Sequence, residues 1–119
     1  MSELNHLLPD LVKVNTVGDE TELTLYISAE IDYFKGHFPQ APVLPGVAQL
    51  DWAVHFASQY LTLSSHVVQN VEVLKFQVVI QPELEVKLIL TQKSANKFTF
   101  KYVSEKGTHA SGRIVTLAE

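Results

Sequence analysis

Gly36-His37-Phe38-Pro39-Gln40-Ala41-Pro42-Val43-Leu44-Pro45-Gly46-Val47-Ala48-Gln49-Leu50-Asp51 is the stretch on which the reading of this chain turns. Pro39, Pro42 and Pro45 recur at every third position. Each proline fixes φ and lacks an N–H, so the segment is expected to run extended and stiff before a helix begins. Pro45 suits the first helical position, which makes Leu44 the expected N-cap, a residue with no side-chain oxygen to offer. The N–H groups of Gly46 and Val47 then fall among the unpaired donors at the positive end of the helix dipole. Donors so placed, beside a residue without a side chain, suit an oxygen that gains negative charge during a reaction. An imidazole, His37, precedes the helix, and a carboxylate, Asp51, lies on it.

The segments Gly36-His37-Phe38-Pro39 and Pro42-Val43-Leu44-Pro45-Gly46, followed by the acid Asp51, resemble the signature of the β-hydroxyacyl-acyl-carrier-protein dehydratases, enzymes of the hot-dog fold. The resemblance implies that His37 and Asp51 are the catalytic pair and that Gly46 supplies the oxyanion-binding N–H. It also implies substrate contacts from the flanking Phe38, Pro45, Val47 and His55. An Asp at the acid position leans towards the family branch that also isomerises its product. The chain departs from the family at Gln40-Ala41 and Leu44, where Gly with a charged residue, and Met, are common. It departs again at His55, where Gln is usual. His55 lies one turn beyond Asp51, so an i to i+4 hydrogen bond that tunes the acid is expected. A weaker likeness to the family runs from Leu74 to Val86.

Composition narrows the classes. At 119 residues the chain is long enough for a single domain, 1–119, with one core, and 46% apolar content is ordinary for a soluble protein. Nine basic residues against thirteen acidic ones give a formal charge of −4, with no basic run, which disfavours nucleic acid as a partner. There is no Cys, so disulfides and thiol catalysis are excluded. No basic-then-apolar leader and no membrane-length apolar run occur, so a cytoplasmic location away from the membrane is expected.

In chain order, residues 2–8 read as a short lead-in, one helical turn at most, stopped by Pro9. Leu11–Val17 and Thr21–Ser28 read as a hairpin around Gly18-Asp19-Glu20, with Leu23, Leu25 and Ile27 on one face. Gly46–Leu61 is expected to be a helix of roughly 24 Å, apolar nearly all round and therefore buried. Beyond His66 the period changes to two. Leu74, Phe76, Val78 and Ile80 mark one strand, Leu84 to Leu90 a second, Phe98 to Tyr102 a third and residues 109–118 a fourth. The order ββαββββ gives an α+β class, and with the resemblance a hot-dog fold: an antiparallel β-sheet wrapped around one long buried helix.

His37, Asp51 and Gly46 together supply a base, an acid and a charge stabiliser. That set can remove a proton α to a thioester carbonyl and expel a β-hydroxyl as water. Taken singly, a histidine such as His37 is most often a hydrogen-bonded loop residue, and Asp51 reads also as a buried structural carboxylate bonded to His55 or to backbone. No third ligand joins Asp51 and His55 at a metal-site spacing, and the chemistry needs no cofactor. Lys75, Lys101 and Arg113 fall on alternating strands, suited to an acidic carrier protein or simply to a solvated sheet. The reaction expected is dehydration of a (3R)-hydroxyacyl thioester on acyl carrier protein to the trans-2-enoyl product. Alternatives are an R-specific enoyl-CoA hydratase, for which Asp32 stands five residues before His37, a hot-dog thioesterase, and a non-catalytic acyl-thioester binding module. The family resemblance further implies a homodimer in which each site takes its histidine and its acid from different chains.

Overall fold

The computed structural model describes residues 7–34 and 42–118. Its elements follow the expected order: β1 (Asp10–Val17), β2 (Glu20–Ile27), a 3₁₀ turn at Asp32–Phe34, α1 (Gly46–Tyr60), β3 (Val68–Phe76), β4 (Leu84–Ser94), β5 (Lys97–Ser104) and β6 (Gly107–Thr116). The strands form one sheet in the order β1-β2-β4-β5-β6-β3, and every neighbouring pair is antiparallel. This is the hot-dog arrangement. The β1–β2 turn is made by Gly18, whose φ of +60° is the left-handed conformation that glycine adopts without strain.

Alternation places the core. Leu23, Leu25 and Ile27 of β2, Val86, Leu88 and Leu90 of β4, and Phe98, Phe100 and Tyr102 of β5 all point to one face and are buried. Against them α1 lays Ala48, Gln49, Trp52, Ala53, Phe56 and Ala57, a stripe at helical spacing. Each large apolar side chain enclosed here contributes about 1.5–3 kcal/mol. Two hydrogen bonds fix the helix on this bed: the fully buried Tyr102 hydroxyl donates to the Gln49 carbonyl at 2.6 Å, and the Trp52 indole N–H donates to the Leu7 carbonyl at 2.8 Å.

Three expectations need adjustment. The helix is not enclosed on all sides: Val47 is 65% exposed and Asp51 is exposed too, because the sheet covers a single stripe. The third strand starts at Val68, earlier than its alternation suggests, and the chain leaves the sheet after Phe76 instead of continuing to Ile80. Residues 7–9 form no helical turn, and the rest of the expected lead-in lies outside the described residues.

The Tyr102 bond has a measurable pH signature. Burial raises its phenol well above the ordinary 10.0. In the unfolded chain the phenol ionises from about its ordinary value, so the stabilisation is complete below that pH and is lost as pH rises beyond it. Tyr102→Phe is expected to lower unfolding free energy by about 1 kcal/mol at neutral pH. It should also flatten the alkaline fall in stability, both checked by urea titration across pH.

Candidate active site

The site is built at the start of α1. Leu44 is fixed by its N–H, which donates to the Ile80 carbonyl at 2.8 Å, and Pro45 follows in an extended conformation with φ −63° and ψ 151°. The Pro45 carbonyl accepts from the N–H groups of Ala48 and Gln49 at 3.1 and 3.2 Å. Pro45 is therefore the N-cap and Gly46 the first helical residue, one position later than the sequence suggests. The expected consequence survives the shift. Among the described residues no side chain caps this end, and none supplies an acceptor to the N–H of Gly46 or Val47.

Gly46 lets the Phe76 ring close over the helix start. A Cβ at this position would lie 2.7 Å from Cζ of Phe76, the last residue of β3, whose ring covers the glycine. Phe76 and the segment after it are held in turn by His109 of β6, which is 1% exposed. Its Nδ1–H donates to the Val78 carbonyl at 3.0 Å, and its own carbonyl accepts from the Gln77 N–H at 2.8 Å. The Ser104 hydroxyl lies 2.6 Å from Nε2 and also accepts from the Lys106 N–H at 3.0 Å. In the sequence His109 opens the expected last strand. Nothing in its strand pattern distinguishes it from a solvated histidine.

Asp51 stands on the open face of α1, one turn beyond Val47. The expected hydrogen bond to His55 is not formed. The half-buried His55 ring instead meets Phe56 edge-on, with centroids 5.0 Å apart at 76°, leaving Asp51 directed to the uncovered side. His37 and Phe38 lie outside the described residues. Asp32 opens the 3₁₀ turn.

The first residue of the helix has an apolar neighbour in Phe76 of β3. Edge strand β3 buries none of its residues: Val73 is 64% exposed and Phe76 49%, and Val79 just beyond is 58% exposed. A register shift between Glu72 and Lys75 contains Val73, whose φ of +46° is strained for a β-branched residue. On the outer sheet face Lys101 and Lys75 both pair across Ser111, while Arg113 is engaged with Glu72 at 2.8 Å. The guanidinium holds the Glu72 carboxyl below its usual range. No helix among the described residues is long and apolar enough to cross a membrane.

Comparisons with known proteins agree with this fold. A protein structure described as the dehydratase heterocomplex ApeI:P from Xenorhabdus doucetiae superposes with a TM-score of 0.81 at 32% identity, covering 90% of this chain and 96% of that one. An uncharacterized protein from Erwinia carotovora subsp. atroseptica superposes with a TM-score of 0.73, also at 32% identity, over 91% and 94% of the two chains. A 3-hydroxyacyl-[acyl-carrier-protein] dehydratase, FabZ, from Erythrobacter litoralis is 38% identical over 45 residues, a match spanning 38% of this chain and only 30% of that protein. The family model described as ApeI dehydratase matches residues 13–113, most of the sequence. The chain belongs to the ApeI-like dehydratase family.

Proposed function

We propose that this chain dehydrates (3R)-hydroxyacyl thioesters carried on acyl carrier protein, giving trans-2-enoyl thioesters for the assembly of a fatty or polyene-like acyl chain in the cytoplasm. The observation that carries the reading is the Gly46 N–H, without an acceptor among the described residues, and the exposed Asp51 carboxylate on the first turns of one helix whose first residue packs against Phe76 of the edge strand β3.

The thioester carbonyl oxygen accepts the Gly46 N–H, which lowers the cost of its enolate-like charge. Neutral His37 takes the Cα proton. The electron pair left behind forms the Cα–Cβ double bond as the Cβ–O bond breaks, and Asp51, entering as the carboxylic acid, donates the proton that turns the leaving hydroxide into water. Proton transfer from His37 back to Asp51 by way of solvent resets the site. No cofactor enters the balance. Pro45, Val47, Phe38 and His55 flank the reacting thioester as substrate contacts.

A second copy of the chain completes the site. Asp51 in a lone chain faces water, whereas elimination is better served by a site closed to solvent. The exposed Val73, Leu74 and Phe76 of β3 offer an apolar surface for closing it, and an edge strand offers unpaired backbone groups to a second chain. The Xenorhabdus relative was solved as a dehydratase heterocomplex. A distinct hot-dog chain is therefore the competing identity for the partner, and sedimentation of the purified chain distinguishes the two.

Dehydration is followed by the rise of enoyl-thioester absorbance from 3-hydroxyacyl carrier protein. His37→Ala is expected to lower kcat by about 10²- to 10⁴-fold with unfolding transitions unchanged. Near-normal turnover in that variant would remove the histidine from the mechanism. Gly46→Pro keeps a residue suited to the first helical turn while deleting the N–H, and should lower kcat about 10²- to 10³-fold. Gly46→Ala supplies the control, since it brings the same collision with Phe76 but retains the donor. Equal losses in the two variants would mean that the glycine matters for space alone.

A further inference from the structure

The segment from Phe76 to Ile80 meets the start of α1 at both of its ends. Phe76, the last residue of β3, lays its ring over Gly46, and the Ile80 carbonyl accepts the Leu44 N–H at 2.8 Å. The two ends thus touch the residues on either side of Pro45. Residues 77–80 belong to no strand, so no sheet ladder holds the part between. His109 of β6 holds it instead. Its main-chain carbonyl accepts the Gln77 N–H at 2.8 Å, and its ring Nδ1 lies 3.0 Å from the Val78 carbonyl.

The other ring nitrogen sets the imidazole for this task. A carbonyl oxygen only accepts, so Nδ1 carries a proton, and in the neutral ring Nε2 is then an acceptor. The Ser104 hydroxyl, 2.6 Å from Nε2, takes the Lys106 N–H on a lone pair at 3.0 Å and keeps its own proton for the ring. The β5–β6 turn therefore decides which nitrogen faces Val78 as a donor. His109 is 1% exposed. An apolar side chain would fill such a place without needing two partners, and what the imidazole adds is direction.

We infer that His109 is a positioning residue for the dehydration: by way of Val78, Gln77 and the Phe76 ring it fixes the direction of the Gly46 N–H, and Ser104 supports it in that role. The inference rests on the dehydratase reading above and adds to it residues that touch neither the substrate nor the reacting atoms. A misplacement of about 1 Å at a reacting centre can cost on the order of 10²-fold in rate. The loss on removing His109 is therefore large, and it is bounded by the loss on deleting the donor itself.

His109→Leu is expected to lower kcat by about 10- to 10²-fold at nearly constant KM, since the donor bond strengthens only in the transition state. His109→Asn, whose amide N–H reaches towards Val78 as Nδ1–H does, should recover most of that loss. His109→Gln, whose longer side chain carries the amide to the place of Nε2, should not. A double-mutant cycle separates aim from mere support of the fold. If His109 acts through the donor, His109→Leu made in Gly46→Pro protein costs nothing further; the same factor lost in both backgrounds overturns the inference. Should His109→Leu fold poorly, Ser104→Ala leaves the core filled and gives the same cycle with a smaller loss, read the same way. Nitrogen-15 relaxation follows the Gly46 amide without turnover. Its order parameter should be about 0.85 in wild type and fall in His109→Leu with the middle of α1 unchanged. Equal rigidity in both proteins also overturns the inference. If the relaxation result is found but wild-type protein leaves every 3-hydroxyacyl thioester intact, the dehydratase reading falls and the hold of His109 on the donor stands.

Discussion

A six-stranded sheet can enclose only one side of the helix it carries, and that constraint shapes this molecule. The stripe from Ala48 to Ala57 is spent on the core with Leu88, Phe100 and Tyr102, which leaves Val47 and Asp51 uncovered. A half-filled helix surface in a single chain is an unfinished structure. The uncovered side carries the carboxylate that the proposed chemistry needs, and the edge strand β3 carries exposed apolar side chains, Val73, Leu74 and Phe76, that the proposed second copy would bring against it. Under the proposed function, folding and catalysis make the same demand, for a second chain.

The other half of the site depends on where the helix starts. Pro45 ends the extended run and turns its carbonyl into the first helical acceptor, so the N–H of Gly46 is left over. Keeping that donor in place takes a chain of contacts that reaches across the sheet. Leu44 is tied to Ile80, Phe76 covers Gly46, and His109 grips the backbone at Gln77 and Val78. None of these groups needs to touch the reacting atoms for the donor to be rigidly aimed.

Much of this was legible in the sequence because it rests on local rules. Strict alternation from Leu84 to Leu90 and from Phe98 to Tyr102 gave strands with the right buried faces, and the proline triad gave the helix start to within one residue. Strand β3 was misplaced for a physical reason. A strand that buries neither face has no period to read, and Val68–Glu72 shows none, whereas the alternation of Leu74, Phe76, Val78 and Ile80 continues past the true end of the strand. Apolar composition suggests an enclosed helix because it does not say which of the helix surfaces meets the sheet. Asp51 and His55 have the spacing for a hydrogen bond but different environments, and packing of the ring against Phe56 prevailed. Gln49 is an uncharged polar residue among Ala48, Trp52, Ala53 and Phe56 on the enclosed side.

The sharing of the site between chains is open to a direct measurement. His37→Ala and Asp51→Asn proteins, each inactive, are mixed under conditions that exchange subunits. If the histidine and the acid of one site come from different copies, each mixed dimer holds one site with both defects and one with neither, and dehydration returns. If both residues come from one chain, or the partner is a different protein, every site keeps a defect and the mixture stays inactive after proven exchange, which would contradict the shared site.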